Sequence, residues 1–516
     1  MTSISTSPGS PRPCMPPPAA GDARGRSRAG VLAAVCLGAI GMPMSFTGPA
    51  VALTALHDAL GGSPAMLAWV TNAFMLSFGA CLMVAGSLAD AVGRRRVFRA
   101  GLWVVIFSSL AMSLLPGQGA MGLFVALRAV QGLGSAAVFA GGMAVLAQAF
   151  DGPGRARVFS LVGTSFGAGL SFGPLLSGWL LSAVGWRAVT ASVIVVALLS
   201  LVLGWRSMAE SRNPDATGLD VPGAASFTCA LALLTWGVMQ VPVHGWRDLH
   251  VLLPLAGALL SLAAFVRVES RSAQPMLDLS LLRHPRFVGV QLLAAAPAYG
   301  FVVLLILLPI RFIGVERMSP LVAGQLVFAL SLPMLVVPPV VGWLVRWVSA
   351  ARLCSLGLGI CAAGLLWLAR CQPGTPILQM AAPLLLIGAG MSLPWGLMDG
   401  LAVSVVPVEQ AGMAAGIFNT VRVAGEGIAL AVVGAALSGW LASGLAHVGD
   451  ATAVQAGVQQ LLSGNLSAAL AAMPGLSVDA LLGIYGQAFS TLLQALAAVT
   501  ALTACVVFAF LRQPGR

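Results

Sequence analysis

The sequence contains no lysine: its 27 basic residues are all arginine, against 16 acids, for a formal net charge of +11 over 516 residues. A phosphate-binding P-loop depends on its lysine, so no ATP-driven pump of that type is encoded in this chain. Charge of either sign is scarce, at 8% of residues. A soluble domain is about one quarter charged, so most of this surface cannot face water. The eight cysteines form no C-x-x-C pair, and most sit inside apolar runs (Cys36, Cys81, Cys229, Cys354, Cys361, Cys505). They read as small buried hydrophobes, with neither a disulfide framework nor a metal site. The five histidines fall near helix ends or in loops and make no H-E-x-x-H, so no metal and no cofactor is indicated. Neither a catalytic cluster nor a soluble signalling domain is visible, which sets a membrane-embedded enzyme or sensor far behind other readings.

What the chain has in abundance is apolar length. Hydrophobic residues make up 58% of it and the mean hydropathy is +0.94. Runs of about 20 apolar residues recur from end to end, which is the signature of helices that span a bilayer. Fourteen spans fit, the first over 30–55, the ninth over 286–310, the thirteenth over 411–440 and the last over 486–511. Residues 1–29, rich in Pro, Ser and Gly, predict a disordered leader, and the first apolar run reads as a retained helix, not a signal peptide. The arginines sit in short loops between apolar runs, which points to topogenic charge and away from nucleic acid. With both termini cytoplasmic, Arg187, Arg247, Arg311, Arg317 and Arg370 fall outside, Arg128 and Arg422 fall within spans, and the remaining twenty lie inside. The spans divide as six (30–205), two extra helices in a linker (206–285), and six (286–512). A weak echo links the sixes: GSLAD at 86–90 and GWLVR at 342–346 follow corresponding helices, as internal repeats in transporters do. A long external stretch at about 441–485 reads either as short amphipathic helices or as a plain linker.

The strongest local pattern is GSLADAVGRRRVF, 86–98. Gly86 and Gly93 permit close approach and a tight turn, Asp90 closes the second span, and Arg94, Arg95 and Arg96 follow. A simple positive-inside anchor accounts for the arginines but not for Asp90 between two glycines. The segment resembles the loop signature of the major facilitator superfamily. Three further stretches extend the likeness: LRAVQGLG (127–134, with Arg128), GTSFGAGLSFGPLLSG (163–178) and WVTNAFML (69–76). The third-named pattern is similar to the start of helix two in the fourteen-span drug:proton antiporters. The 163–178 segment, with Gly163, Gly167, Gly173, Pro174 and Gly178, resembles the helix-five signature of exporters, although Ser177 stands where a glycine is usual. The resemblance implies an all-α integral membrane protein with the major facilitator fold, two six-helix halves plus two central extra helices. It also implies that Asp90 and the arginines form a latch holding one conformation closed. Its implied activity is proton-coupled efflux of small amphipathic toxic compounds at the cell membrane by alternating access. The partners would be a small-molecule substrate, protons and the lipid bilayer, with a monomer sufficient for function. An exporter of a metabolite or sugar is the nearest rival with the same fold.

One departure matters. Antiporters of this kind usually carry an acid in helix one, and the aligned stretch MSFTGPAVALT (44–54) has Ser45 there and Ala50 at the usual Asn. The acids well inside spans are Asp399 and Glu426, roughly 10 Å and 22 Å from the cytoplasmic helix ends at 1.5 Å per residue. Asn419 and Arg422 match the similar proteins' usual NTxR, whereas Glu426 is an addition. Arg422 and Glu426, at i and i+4, share a helix face and either neutralise each other or present Glu426 to the central cavity. Burial and a neighbouring arginine act on a carboxylate's proton affinity in opposite directions. Asp399 and Glu426 are therefore the candidate coupling acids, with Arg422, Asn419 and Arg128 as the further candidates for proton coupling or the substrate cavity.

Overall fold

The computed structural model describes residues 28–512 apart from 151, 213–220, 272–280, 282, 407–410 and 449. The predicted leader, 1–29, therefore lies outside the described residues except for Arg28 and Ala29, which already belong to the first helix. In hydrocarbon no water can satisfy a backbone N–H or C=O, so a long apolar run has the helix as its internal solution. Fourteen helices among the described residues are long and apolar enough to cross a membrane.

The first six spans are α1 (Arg28–Val51, extended past Ala52 by the short α2, Leu53–Leu60), α3 (Pro64–Val92), α4 (Arg94–Ser113), α5 (Met121–Ala149), α6 (Gly152–Ala183) and α7 (Trp186–Ser207). Next come α8 (Val221–His244) and α9 (Leu249–Glu269), which pack on each other. Asp248 caps α9, and the His250 backbone and ring hydrogen bonds hold its carboxyl below the usual carboxylate range. The ninth span, Pro285–Val315, joins α10 (Pro285–Pro297) and α11 (Val303–Pro309) through a π-helical turn, Ala298–Val302, and ends in another, Ile310–Val315. Each wide turn follows a proline, whose missing N–H and bulky ring break the ordinary ladder. The tenth span is α12 (Pro320–Ser331) with α13 (Pro333–Leu344); the rest are α14 (Ala350–Leu368), α15 (Ile377–Ser404), α16 (Ala411–Leu445) and, after α17 (Ala451–Leu462) and α18 (Leu466–Ala472), α19 (Val478–Leu511).

Several boundaries differ from the sequence reading, and two of them change what the spans contain. The ninth span runs to Val315, five residues past the predicted end, and so takes in Arg311. The last span begins at Val478, so the outer connection shortens. It holds two short helices, capped by the side chains of Asp450 and Asn465, with Val454, Val458 and Leu461 of α17 buried.

Small residues set the packing. Without a hydrophobic drive between helices in lipid, close backbone approach supplies the contact. Gly101 of α4 and Gly134 of α5 face each other's carbonyls, and Gly357 of α14 and Gly390 of α15 do the same. These are the third and fourth spans of the first and last six. The second span of each set likewise opens on a serine-proline cap, Ser63 before α3 and Ser319 before α12. Each ends at the 86–90 or 342–346 segment.

An even number of alternating spans puts both described ends on one face, where Arg28, the 94–96 triplet and Arg512 also lie. At the opposite face the first and last six spans meet closely. Ser171 Oγ donates to the Ser331 carbonyl at 2.7 Å, and Gly178 lies against Pro320. At the arginine-rich face a Cβ added to Gly86, Gly342 or Gly400 would meet nothing within 4 Å. Asp399 of α15, 46% exposed beside Gly163 of α6, marks a cleft between the two sets on that side.

Candidate functional site

The cleft is floored by α15 and α16. Arg422, whose side chain is 8% exposed, reaches from α16 to α15 and donates Nη1–H to Asp399 Oδ1 at 3.3 Å. Its Nη2 donates to Asn419 Oδ1 at 2.7 Å, one turn back on its own helix. The guanidinium stands 5.7 Å from the ring centroids of both Trp395 and Phe418. Trp395 stacks on Phe166 of α6, 5.9 Å between centroids, and so closes the floor across the two sets of spans. Asp399 is 46% exposed and faces the cleft, with Gly163 of α6 leaving room beside its Oδ2.

Glu426 stands one turn deeper on α16 and is only 3% exposed. Among the described residues no cation lies within ion-pair distance of it; Arg422, whose field it feels, has turned toward Asp399 and Asn419. Of the two sequence readings of this pair, direct i,i+4 neutralisation is thus not the arrangement found. Ser45, where an acid is usual, is buried and donates its hydroxyl to Gly41 of the same helix.

Arg128 is not brought to this cluster. It is fully buried, its Nε donates to the Val70 carbonyl at 2.8 Å, an Nη1–H bonds Gln131, and its guanidinium lies 4.5 Å over Phe74. Gln131 passes the network on to Ser109 of α4. Arg128 therefore ties α3, α4 and α5 together.

The 86–98 segment runs from the last turns of α3 through the single non-helical residue Gly93 into the first turn of α4. Gly93, at φ +132°, takes a conformation that favours glycine. Asp90 holds Arg94 through Nε at 2.9 Å and Nη2 at 2.8 Å. An acid that the sequence reading passed over completes the loop. Glu210, just after α7, accepts from the Arg95 backbone N–H at 3.2 Å and lies 3.5 Å from Arg96 Nε. Nothing in the pattern around Ala209–Ser211 announces it; only the return of α7 to the same face brings it there.

The glycines of α6 line seams. Gly173 lies against Thr47 and Met44 of α1, Gly167 against Met334 of α13, Gly178 against Pro320, and the Pro174 carbonyl against Gly324 of α12. Gly178→Ala should wedge the closed end apart, because its Cβ would meet the Pro320 carbonyl. We expect a loss of about 1–3 kcal/mol, as for overpacking, read as a lower unfolding midpoint of the purified protein. Gly86→Ala, which meets open space, should leave the midpoint unchanged; equal shifts for the two would refute the seam.

A fully buried charge pair was also missed. Arg311 Nε lies 2.6 Å from Glu316 Oε1, with side chains 2% and 3% exposed, and Arg311 Nη2 donates to the Cys371 carbonyl at 2.7 Å. The spacing of five matches the π-helical turn, in which the Glu316 N–H bonds the Arg311 carbonyl. The available signal was an acid five residues beyond an arginine that ends an apolar run.

The sequence profile of the Major Facilitator Superfamily matches residues 33–430. A cephamycin export protein of Amycolatopsis lactamdurans is 35% identical over 418 residues, 78% of this chain and 84% of that one. The multidrug resistance protein Stp of Mycobacterium tuberculosis is 31% identical over 381 residues, 73% and 70% of the two chains. Among solved structures, a peptide transporter in complex with sulfate superposes with a TM-score of 0.60 at 14% identity, covering 93% of this chain and 95% of that one. The human organic anion transporter MFSD10 does so with a TM-score of 0.59 at 16% identity, covering 93% and 99%.

Proposed function

The chain belongs to the Major Facilitator Superfamily, and on that premise we propose that it is a proton-driven exporter of small amphipathic compounds, acting as a monomer. It is a multi-pass membrane transporter of a non-enzymatic family. The export reading draws support from relatives named for antibiotic export and multidrug resistance. In the proposed scheme two six-helix halves rock about a midplane cavity, and the arginine-rich face is cytoplasmic, in keeping with the excess of arginine in inside loops. The open cleft then corresponds to the inward-facing state. In the opposite state the Asp90–Arg96 loop, steadied by Glu210, latches the inner ends together. Protons entering from outside neutralise Glu426 or Asp399 and release substrate.

The observation that carries this reading is the arrangement on α16. Arg422 is held by Asp399 at the cleft, and Glu426 is buried one turn deeper without a close cation. A buried acid of this kind in a transporter helix is a functional candidate. The test is expression in an efflux-deficient host, scored for resistance to and accumulation of lipophilic cations, with and without a proton uncoupler. Expected is at least a fourfold lower accumulation that the uncoupler abolishes. Efflux that persists unchanged with the uncoupler rejects proton drive, and no efflux of any lipophilic compound favours the metabolite reading.

A further inference from the structure

A second cavity lies nearer the opposite face, beyond Glu426. Its walls come from α3, α8, α11, α16 and α17, and Trp69, Asn72, Gln240, Gly434, Gln459 and Ser463 are among the residues that line it. No lining residue is charged. Apart from Thr71 and Met239, the remaining wall is aliphatic, from residues such as Ile306, Leu307 and Leu430. Trp69 stands at one edge with its ring 5.4 Å from that of Trp236 on α8.

We infer that this chamber is a second ligand site, which takes an uncharged amphipathic molecule with a flat apolar body and hydrogen-bonding groups. The chemistry follows from the lining. A bare charge would lose its hydration here with no counter-ion to replace it. Amide and hydroxyl groups from Asn72, Gln240, Gln459 and Ser463 suit polar but neutral substituents, and Trp69 with the aliphatic wall suits an aromatic body. The inference rests on the exporter reading for its role: the chamber receives the transported compound on its way out.

The placement on α16 supports that role. Arg422, Glu426, Leu430 and Gly434 follow at four-residue spacing along α16, a row that winds about 40° around the helix at each step. Gly434 is about 12 Å from Glu426 along the axis at 1.5 Å per residue. Below the chamber α3 and α16 close on each other, Gly79 against the Ala424 backbone and Gly427 beside Met75. One helix thus carries, in order, a charge pair open to the arginine-rich face, a buried acid, and a neutral chamber beyond a seal. The extra helix α8 gains a function in this arrangement, as a wall of the chamber.

The experiment uses the full chain in lipid nanodiscs and N-phenyl-1-naphthylamine, an uncharged aromatic amine that fluoresces in apolar surroundings. We expect saturable binding above empty nanodiscs. Gly434→Leu should weaken it at least tenfold. A Cβ at Gly434 meets nothing within 4 Å, so the new side chain enters the chamber without displacing backbone. The smaller Gly434→Ala should fold as the parent and weaken binding less. Leu260→Ala, on the exposed face of α9 (72% exposed), should change binding less than twofold. Absence of saturable binding, or binding that is insensitive to Gly434→Leu, overturns the inference. So does an equal loss through Leu260→Ala, because the probe then sits on the lipid-facing surface. Because the readout is equilibrium binding, its failure with efflux intact sinks only the chamber, whereas binding without efflux sinks only the exporter reading.

Discussion

Glu426→Gln is expected to lower transport driven by a pH gradient at least tenfold in everted vesicles, with the protein still folded and inserted. Glutamine keeps the shape of the side chain and can neither take up nor release a proton. The substitution leaves no orphaned cation, because Arg422 keeps Asp399 at 3.3 Å and Asn419 at 2.7 Å as its partners. An effect on transport would then report the proton chemistry of position 426 and not a collapsed ion pair. Asp399→Asn differs in kind. Asp399 is 46% exposed in the cleft and holds Arg422, so its loss should weaken substrate capture and reduce coupling less steeply. Rates measured across external pH separate the two: the parent and Asp399→Asn should retain a pH dependence, and Glu426→Gln should be flat. If both variants keep full pH-driven transport, neither acid couples protons and the mechanism proposed here is wrong.

The spans were legible because a 20-residue apolar run has few structural solutions in a bilayer. The chain shows where that logic stops. The ninth span was cut at residue 310 because Arg311 ended the apolar run, yet the helix continues through a π-helical turn to Val315. Hydropathy registers the cost of a charge but not the partner that offsets it, and Glu316 was that partner. Glu210 escaped for a related reason: its role depends on two loops meeting, and no local pattern encodes such a meeting. Around Arg422 the sequence placed the right residue types on the right helix faces. It could not choose between a partner four residues away and one on α15, since the choice depends on how α15 packs. Arg128 was placed at the coupling site or cavity from its depth and its match to a family pattern, and neither distinguishes a cleft from a three-helix junction.

The buried pair at the end of the ninth span carries the largest stability prediction. Arg311 joins three elements: Glu316 just past the end of its own span, the Cys371 carbonyl beyond α14, and the Phe489 ring of α19, 4.9 Å from its guanidinium. Arg311→Met would leave the Glu316 carboxylate 3% exposed with no counter-charge, and the Cys371 carbonyl without its donor. Breaking one side of a buried pair costs about 3–5 kcal/mol, whereas replacing both charges by groups of similar size is often neutral. The single variant should therefore unfold far more readily in detergent, read as a shorter half-life at fixed temperature, since unfolding of membrane proteins of this size is not readily reversed. The double variant Arg311→Met/Glu316→Gln should recover most of that loss. Recovery distinguishes a compensating pair from two residues that matter separately by packing: a double variant as unstable as the single one would show that Arg311 acts through its aliphatic stem and the Phe489 ring. Gly314, inside the same turn, presses against the Gly464 backbone between α17 and α18. The pair thus fixes the shape of the turn on which those two outer helices rest.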